Sequence, residues 1–213
     1  MPVISAILPH PRRQGRVEVS VDGKAVGAVS ADAVVRLGLR VGADFEPLRR
    51  GFEAECLLLA TWDRATGLLA ATARSRSDLR RQLIRKGEPV AQVDPVLDRL
   101  ERAGYLNDAE FARQFARGKM LGGGMSRRRV QQELAKRGVD RGIADEAVAE
   151  VFVEEEVDEA QAVERFARKK LKSLAKYDEP TRRRRLYGYL RRRGFEDEDI
   201  RDVLGRIGEN DEY

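Results

Sequence analysis

Leu83-Ile84-Arg85-Lys86-Gly87 reads as the last turn of a helix: an apolar residue, two cations, and a glycine that ends it. The pattern Leu, any residue, basic, basic, Gly recurs at Leu134-Ala135-Lys136-Arg137-Gly138 and Leu190-Arg191-Arg192-Arg193-Gly194, with the glycines 51 and then 56 residues apart. Four positions before each Leu stands another aliphatic residue (Leu79, Val130, Leu186). Nine and ten positions after each Gly stand Val96-Leu97, Ala147-Val148 and Val203-Leu204, and thirteen after it come Leu100, Val151 and Ile207. A threefold match of core and boundary positions marks an internal repeat, in which one supersecondary unit is used three times.

Each unit resolves into helices. The cations of the last turn face the negative end of their own helix, and the glycine closes it. Downstream, Asp94-Pro95 supplies an N-cap and first-turn proline for the next helix, and Asp140 and Asp197 are the matching caps in the other units. A further helix precedes each basic one, over about Ala54 to Arg74, Asp108 to Met120 and Asp158 to Leu174. The expectation is a mainly α fold of three tandem three-helix repeats, residues 46–107, 108–157 and 158–213, stacked into an elongated curved rod around one continuous core.

The first 45 residues have a different texture. Val17, Val19 and Val21 alternate with Arg16, Glu18 and Ser20, the period of a half-buried strand, and Asp22-Gly23 is a hairpin turn signal before a second run, Lys24 to Val29. Ser30 caps a short helix through Val35 that stops at Gly38, and helical pattern begins near Pro47. Residues 1–45 are therefore read as an N-terminal extension with a β-hairpin and a short helix. Val3 to Leu8 is a short apolar stretch with no basic residue before it, which does not make a signal peptide.

Composition narrows the chemistry. The chain has 213 residues, one Cys and one His, so an internal disulfide and a Cys/His zinc site are both ruled out. No run approaches the roughly 18 apolar residues of a membrane helix, and a soluble, cytoplasmic chain is the simplest reading. No cofactor or metal site is expected. Lys and Arg number 41 against 36 acids, a net charge of only +5, yet 36% of the residues are charged. Position matters more than the sum. Seventeen of the cations sit on one helix per unit: Arg76, Arg80, Arg81, Arg85 and Lys86; Arg127, Arg128, Arg129, Lys136 and Arg137; Arg182, Arg183, Arg184 and Arg185 with Arg191, Arg192 and Arg193. Between units the sign reverses, with eight acids and no base from Asp145 to Glu159, and the C-terminus from Glu196 to Tyr213 is also acidic. A small net charge thus conceals two fields of opposite sign.

A basic helix used three times points to a surface for a polyanion or an acidic protein; the competing reading is a solvated face whose Arg pairs with Glu at helical spacing. Catalysis finds no support. Glu154-Glu155-Glu156 points to different helical faces, and His10 has no serine or cysteine partner that the sequence identifies. Cys56, in Cys56-Leu57-Leu58-Leu59-Ala60, and Trp62 read as packing residues. Gly122-Gly123-Gly124 before Ser126 lacks the Gly, four residues, Gly, Lys, Ser/Thr arrangement of a phosphate loop, and reads as a helix connection with Ser126 capping the next helix.

The stretch Gly104-Tyr105-Leu106-Asn107-Asp108-Ala109-Glu110-Phe111-Ala112 resembles a segment of the RecX family, in which Gly-Tyr-Leu is followed by an acid or amide, Asp, two residues, Phe and Ala. Arg74-Ser75-Arg76-Ser77, Phe166-Ala167-Arg168-Lys169-Lys170 and Arg193-Gly194-Phe195 agree with it in order, and the resemblance covers about residues 65 to 207. What it implies is a non-enzymatic modulator of the bacterial recombinase RecA, bound in the groove of the RecA filament on DNA and restraining strand exchange, ATP hydrolysis and coprotease activity in DNA repair, recombination and the SOS response. It carries over no catalytic residue. The basic helices are the candidate contact by the charge argument alone, the expected partners are the RecA filament and its DNA, and the chain is expected to be a monomer. A stand-alone DNA-binding protein and a helical scaffold for an acidic partner are the alternatives.

Overall fold

The structure, a computed structural model, describes residues 1–122, 124–156 and 158–210, so Gly123 of the glycine stretch and Asp211, Glu212 and Tyr213 of the acidic C-terminus lie outside the described residues. The fold is mainly α, with ten α-helices among those residues and one small antiparallel sheet. The sheet has the order β1-β2-β3, from β1 (Ile4–Pro9), β2 (Arg16–Val21) and β3 (Lys24–Ser30). The β2-β3 hairpin turns at Asp22 and Gly23, both at positive φ (48° and 78°), the geometry of a type I′ turn. β1 goes beyond the hairpin reading. Its run has no clean alternation, and only Ile4 is fully buried, so the period-2 signal is missing although the strand pairs Ile4 with Val21 and Pro9 with Val17.

Ser30 caps α1 (Ala31–Arg36) by accepting the Ala33 amide. α2 (Glu46–Ala71) follows, with Pro47 in its first turn. The N-terminal residues do not hang off the helical part. Ile4, Val19, Val21, Val29, Ala33, Leu39 and Phe45 bury against Phe52 of α2. Arg36 reaches the buried Glu55 on the same helix at 2.5 Å, and Arg13 and Arg16 both pair with Asp63. Within the chain two compact units separate: Met1–Ala73 with Leu79–Leu106, and Arg74–Asp78 with the chain from Asn107 onward.

The nine repeat helices run α2, α3 (Arg76–Arg85) and α4 (Val90–Arg102); α5 (Asp108–Arg117), α6 (Arg127–Lys136) and α7 (Arg141–Glu154); α8 (Glu159–Lys172), α9 (Glu179–Arg192) and α10 (Asp197–Asn210). A π-helical turn, Gly118–Gly122, extends α5. Each basic helix ends at a glycine in the left-handed region: Gly87 (φ 89°), Gly138 (72°) and Gly194 (86°). All fifteen aliphatic and small positions that define the repeat, from Leu79 to Ile207, are buried. The core, however, is not continuous. Three separate clusters form, one around Leu83 and Leu97, one around Leu134 and Val148, and one around Leu190 and Ile200, because each set of three helices closes its own apolar stripe.

Two cap assignments also change. α4 starts five residues before Pro95: Pro89 occupies its N-cap, with φ −61° and ψ 131°, and Pro95 lies inside the helix, where it lacks only the N–H that would reach back to Ala91. Asp94, freed from capping, receives Arg80 instead. Asp197 is the first residue of α10 and not its cap, since the Ile200 amide donates to the carbonyl of Glu196. Asp140 and Ser126 do cap, through the amides of Gly142 and Ile143 and of Arg129 respectively.

Candidate functional site

The basic helices meet end to end in the second unit. Ser126, the N-cap of α6, donates its hydroxyl to the carbonyl of Gly194 (2.7 Å) while its amide donates to the carbonyl of Arg193 (3.0 Å). The N-terminus of α6 is thereby fixed on the C-terminus of α9. The same joint recurs at Ser75, which accepts the Asp78 amide at the start of α3 and donates to the carbonyl of Arg137 (2.6 Å) at the end of α6. Both serines are buried and both stand twelve positions before the closing glycine of their helix. Each joint aligns a positive helix end with a negative one and satisfies carbonyls that the helix leaves open. Gly194 is needed there twice over: its φ is positive, and a Cβ would come within 2.6 Å of Arg129 Cβ.

On α6 the cations are gathered by their own helix. Glu133, one-sixth exposed, pairs with Arg129 (2.9 Å), Lys136 (3.0 Å) and Arg137 (3.1 Å). Its carboxyl is held below the usual range, first by the Lys136 hydrogen bond and then by Arg137, against the opposing effect of burial. Arg127 lies over Phe152 (4.3 Å) and Arg137 over Phe115 (4.5 Å), while Arg128 reaches out to Glu196 (3.0 Å). On α3, Arg80 makes a bidentate contact with Asp94 of α4 (2.7 and 3.1 Å), and Arg81 is exposed. Arg85 and Lys86 are exposed at its last turn and make no ion pair among the described residues. Several of these cations are thus paired, but Glu133 is a single carboxylate shared by three of them, and both helices keep an excess of positive charge.

α9 differs. Arg182 is partly buried, and Arg183 and Arg184 are exposed and form no ion pair among the described residues. Arg191 stands 3.8 Å from Asp197, Arg192 is exposed, and Arg193 covers the ring of Tyr189 (4.5 Å). Arg128, Arg129, Arg191 and Arg192 line a cleft of about 420 Å³ at the α6–α9 joint together with Glu196 and Asp197, which stand beside Arg128 and Arg191. The sequence reading missed Lys169, Lys170, Lys172 and Lys176 as members of this face, although they stand in the same run. It also missed the joints, whose only signal is a serine twelve residues before two of the three glycines.

The remaining candidates are structural. Gly124 lies buried under Phe166, where a Cβ would sit 2.5 Å from the ring, so this backbone does not cradle a phosphate. Cys56 packs half-buried against the N-terminal core with its Sγ 3.5 Å from the carbonyl of Ala28, and burial pushes its thiol up. Trp62 packs on the first-repeat core, edge-on to Tyr105 and under Arg99.

Models of the three successive three-helix domains of RecX match residues 62–100, 107–148 and 156–204, in order. The regulatory protein RecX of Amycolatopsis mediterranei is 41% identical over 128 residues, 60% of this chain and 71% of its own. That of Mycolicibacterium vanbaalenii is 34% identical over 162 residues, 75% and 84% of the two chains. The chain belongs to the RecX family. A crystal structure of a regulatory protein RecX shares its fold with a TM-score of 0.73 at 20% identity, covering 95% of this chain, a span that takes in most of the N-terminal sheet. RecX from Lactobacillus salivarius has a TM-score of 0.55, at 16% identity over 71% of this chain. All seventeen cations of the basic helices fall inside the three RecX domain matches.

The RecX segment around residue 107 acquires a physical meaning residue by residue. Gly104 takes a φ of 75° after α4, Leu106 is core, and Asn107 caps α5 by accepting the amides of Ala109 and Glu110. Asp108 accepts the Arg76 amide at the start of α3 (2.7 Å), even though burial pushes its carboxyl up. Phe111 and Ala112 are core. Tyr105 is the large apolar side chain of the segment that stays exposed, at 63%.

Proposed function

We propose that this RecX-family chain is a regulator of the recombinase RecA that binds the RecA–DNA filament and restrains its ATPase, strand-exchange and coprotease activities, in the cytoplasm, without chemistry of its own. The single observation that carries the reading is the ordered match of three RecX domains across a chain whose second and third basic helices converge on one arginine-lined cleft. A filament groove is long, periodic and lined by phosphates and protein together, and a chain of repeated units engages such a lattice by many weak contacts whose avidity exceeds that of any one of them. The test is the ATPase of the cognate recombinase on single-stranded DNA, titrated with this protein. Inhibition at substoichiometric ratios is expected. An unaffected ATPase, with the protein still binding naked DNA, identifies a stand-alone DNA-binding protein instead.

A further inference from the structure

We propose that the third repeat is the part of this protein that holds nucleic acid, with a phosphodiester backbone laid along the face formed by the C-terminal half of α8, the connection after it, and α9. The proposal deepens the filament reading and rests on it only for where that nucleic acid is met.

Charge density selects this repeat. From Arg165 to Arg193 the chain carries thirteen Lys and Arg and only two acids, Asp178 and Glu179, whereas the matching stretch that ends just before the second repeat's glycine, residues 109–137, has eight bases against two acids. Of the two acids, Asp178 is engaged as the cap of α9, where hydrogen bonds from Thr181 hold its carboxyl below the usual range. Lys169, Lys172, Lys176, Arg183, Arg184 and Arg192 are all exposed and make no ion pair among the described residues.

The manner in which the remaining cations are held matters as much. On α6 the arginines are held partly by rings and partly by Glu133 and Glu196, whose carboxylates offset part of their charge. Here aromatic rings do the positioning: Arg185 lies 4.1 Å from the centre of Tyr177, and Tyr189 is flanked by Lys170 (5.4 Å) and Arg193 (4.5 Å). Arg185, Tyr189 and Arg193 recur every four residues and so share one face of α9. A ring quadrupole orients a cation while leaving its full charge available to a ligand. With their faces occupied, these rings offer no stacking platform, so the contact is to the backbone and is indifferent to base sequence.

An acidic protein is the other class of polyanion, and the surface argues against it. Protein interfaces are anchored by large apolar and aromatic side chains at their centre, while nucleic-acid interfaces are polar and strongly positive. Among the described residues the large apolar side chains that remain exposed, such as Leu57, Val90, Tyr105 and Val153, all precede the third repeat.

The experiment compares two charge-matched variants, R183E/R184E in the third repeat and R85E/K86E in the first, for binding to a 30-mer oligo-dT and to a 30-bp duplex across a salt series. Neither pair forms an ion pair among the described residues; because Arg184 also helps to lower the Asp178 cap carboxyl, far-ultraviolet circular dichroism checks the helices, and R183Q/R184Q repeats the test should the reversal disturb them. For R183E/R184E the affinity is expected to fall about tenfold or more, and the slope of log K against log salt to become shallower by about 1.4 on the single strand and about 1.8 on the duplex, with R85E/K86E staying near wild type. Equal losses in both variants, or an unchanged slope in R183E/R184E, overturn the proposal. So does a R183E/R184E protein that binds both oligonucleotides normally but no longer inhibits the recombinase ATPase, since the face then meets protein. A wild type that binds through the third repeat yet leaves the ATPase untouched upholds the proposal while sinking the filament reading.

Discussion

Glu133 shows how a single carboxylate decides what a basic helix can do. It sits among Arg129, Lys136 and Arg137, and those three cations keep it ionised below the ordinary carboxylate range. A depressed folded-state pKa means the contribution is complete above the unfolded value, about 4.3, and is lost as pH falls through the folded one. Glu133→Gln is therefore expected to cost about 1 kcal/mol at pH 7, measured by urea denaturation, with the gap to wild type constant above the unfolded carboxylate value and narrowing as the pH falls below it. A gap that does not narrow at all as the pH falls, or that widens, contradicts this account. Reversal of Arg129 and Arg137 to Glu would surround Glu133 with like charge, so it damages the fold before it reports on binding. Gly194 gives a second reading at this scale. Gly194→Ala and Gly87→Ala share the penalty of a positive φ, about 1–2 kcal/mol, but the Cβ at Gly87 enters open space while that at Gly194 strikes Arg129. The first should lie beyond the second by about 1 kcal/mol or more in the same denaturation experiment, and equal costs would show that the α6–α9 joint yields freely.

At the scale of the element, Ser126 joins capping to assembly, because one hydroxyl accepts the Arg129 amide and donates to the Gly194 carbonyl. Ser126→Ala removes both and leaves a buried carbonyl with one donor fewer, a loss of about 1–2 kcal/mol. Amide hydrogen exchange should accelerate at Arg129 and at the end of α9 together; acceleration at Arg129 alone would mean the joint carries no energy. The capping half of this was legible in the sequence, since Ser followed by a basic helix is a start signal. The joint half was not, because a carbonyl 68 residues away leaves no local trace. The same division runs through the other elements. Leu83, Leu134 and Leu190, with their glycines, announced three helix ends and the buried positions of each repeat, as a 3.6-residue period and a left-handed cap both act within one turn, but not that the core divides into separate clusters. β1 and the start of α4 were hidden because each depends on a tertiary partner: Ile4 is buried by pairing with β2 and by Phe52, and Asp94 is drawn from capping to Arg80. For the candidate site the cations were found by position; the Glu133 pairs lie within helical spacing on one helix, whereas the pairing of Arg80 with Asp94 and of Arg128 with Glu196 could be seen only once helices faced one another.

At the scale of the whole chain, the separate clusters and the two compact units set how the protein unfolds. Cooperativity follows shared buried contacts, and where contacts divide, so does the transition. Calorimetry is expected to give a van't Hoff enthalpy well below the calorimetric one. Leu97 and Leu134 occupy the centres of the first- and second-repeat cores, both with no exposed surface, so each reports on a different unit. Either substitution by Ala costs about 2–5 kcal/mol. In a unit near 100 residues that lowers the corresponding transition by about 10 °C or more. Leu134→Ala should move one transition and Leu97→Ala the other. If both substitutions shift a single, calorimetrically two-state transition equally, the chain folds as one block. Under the proposed filament binding, separate units would let contacts close one after another, and avidity accumulates only when several of them are made together.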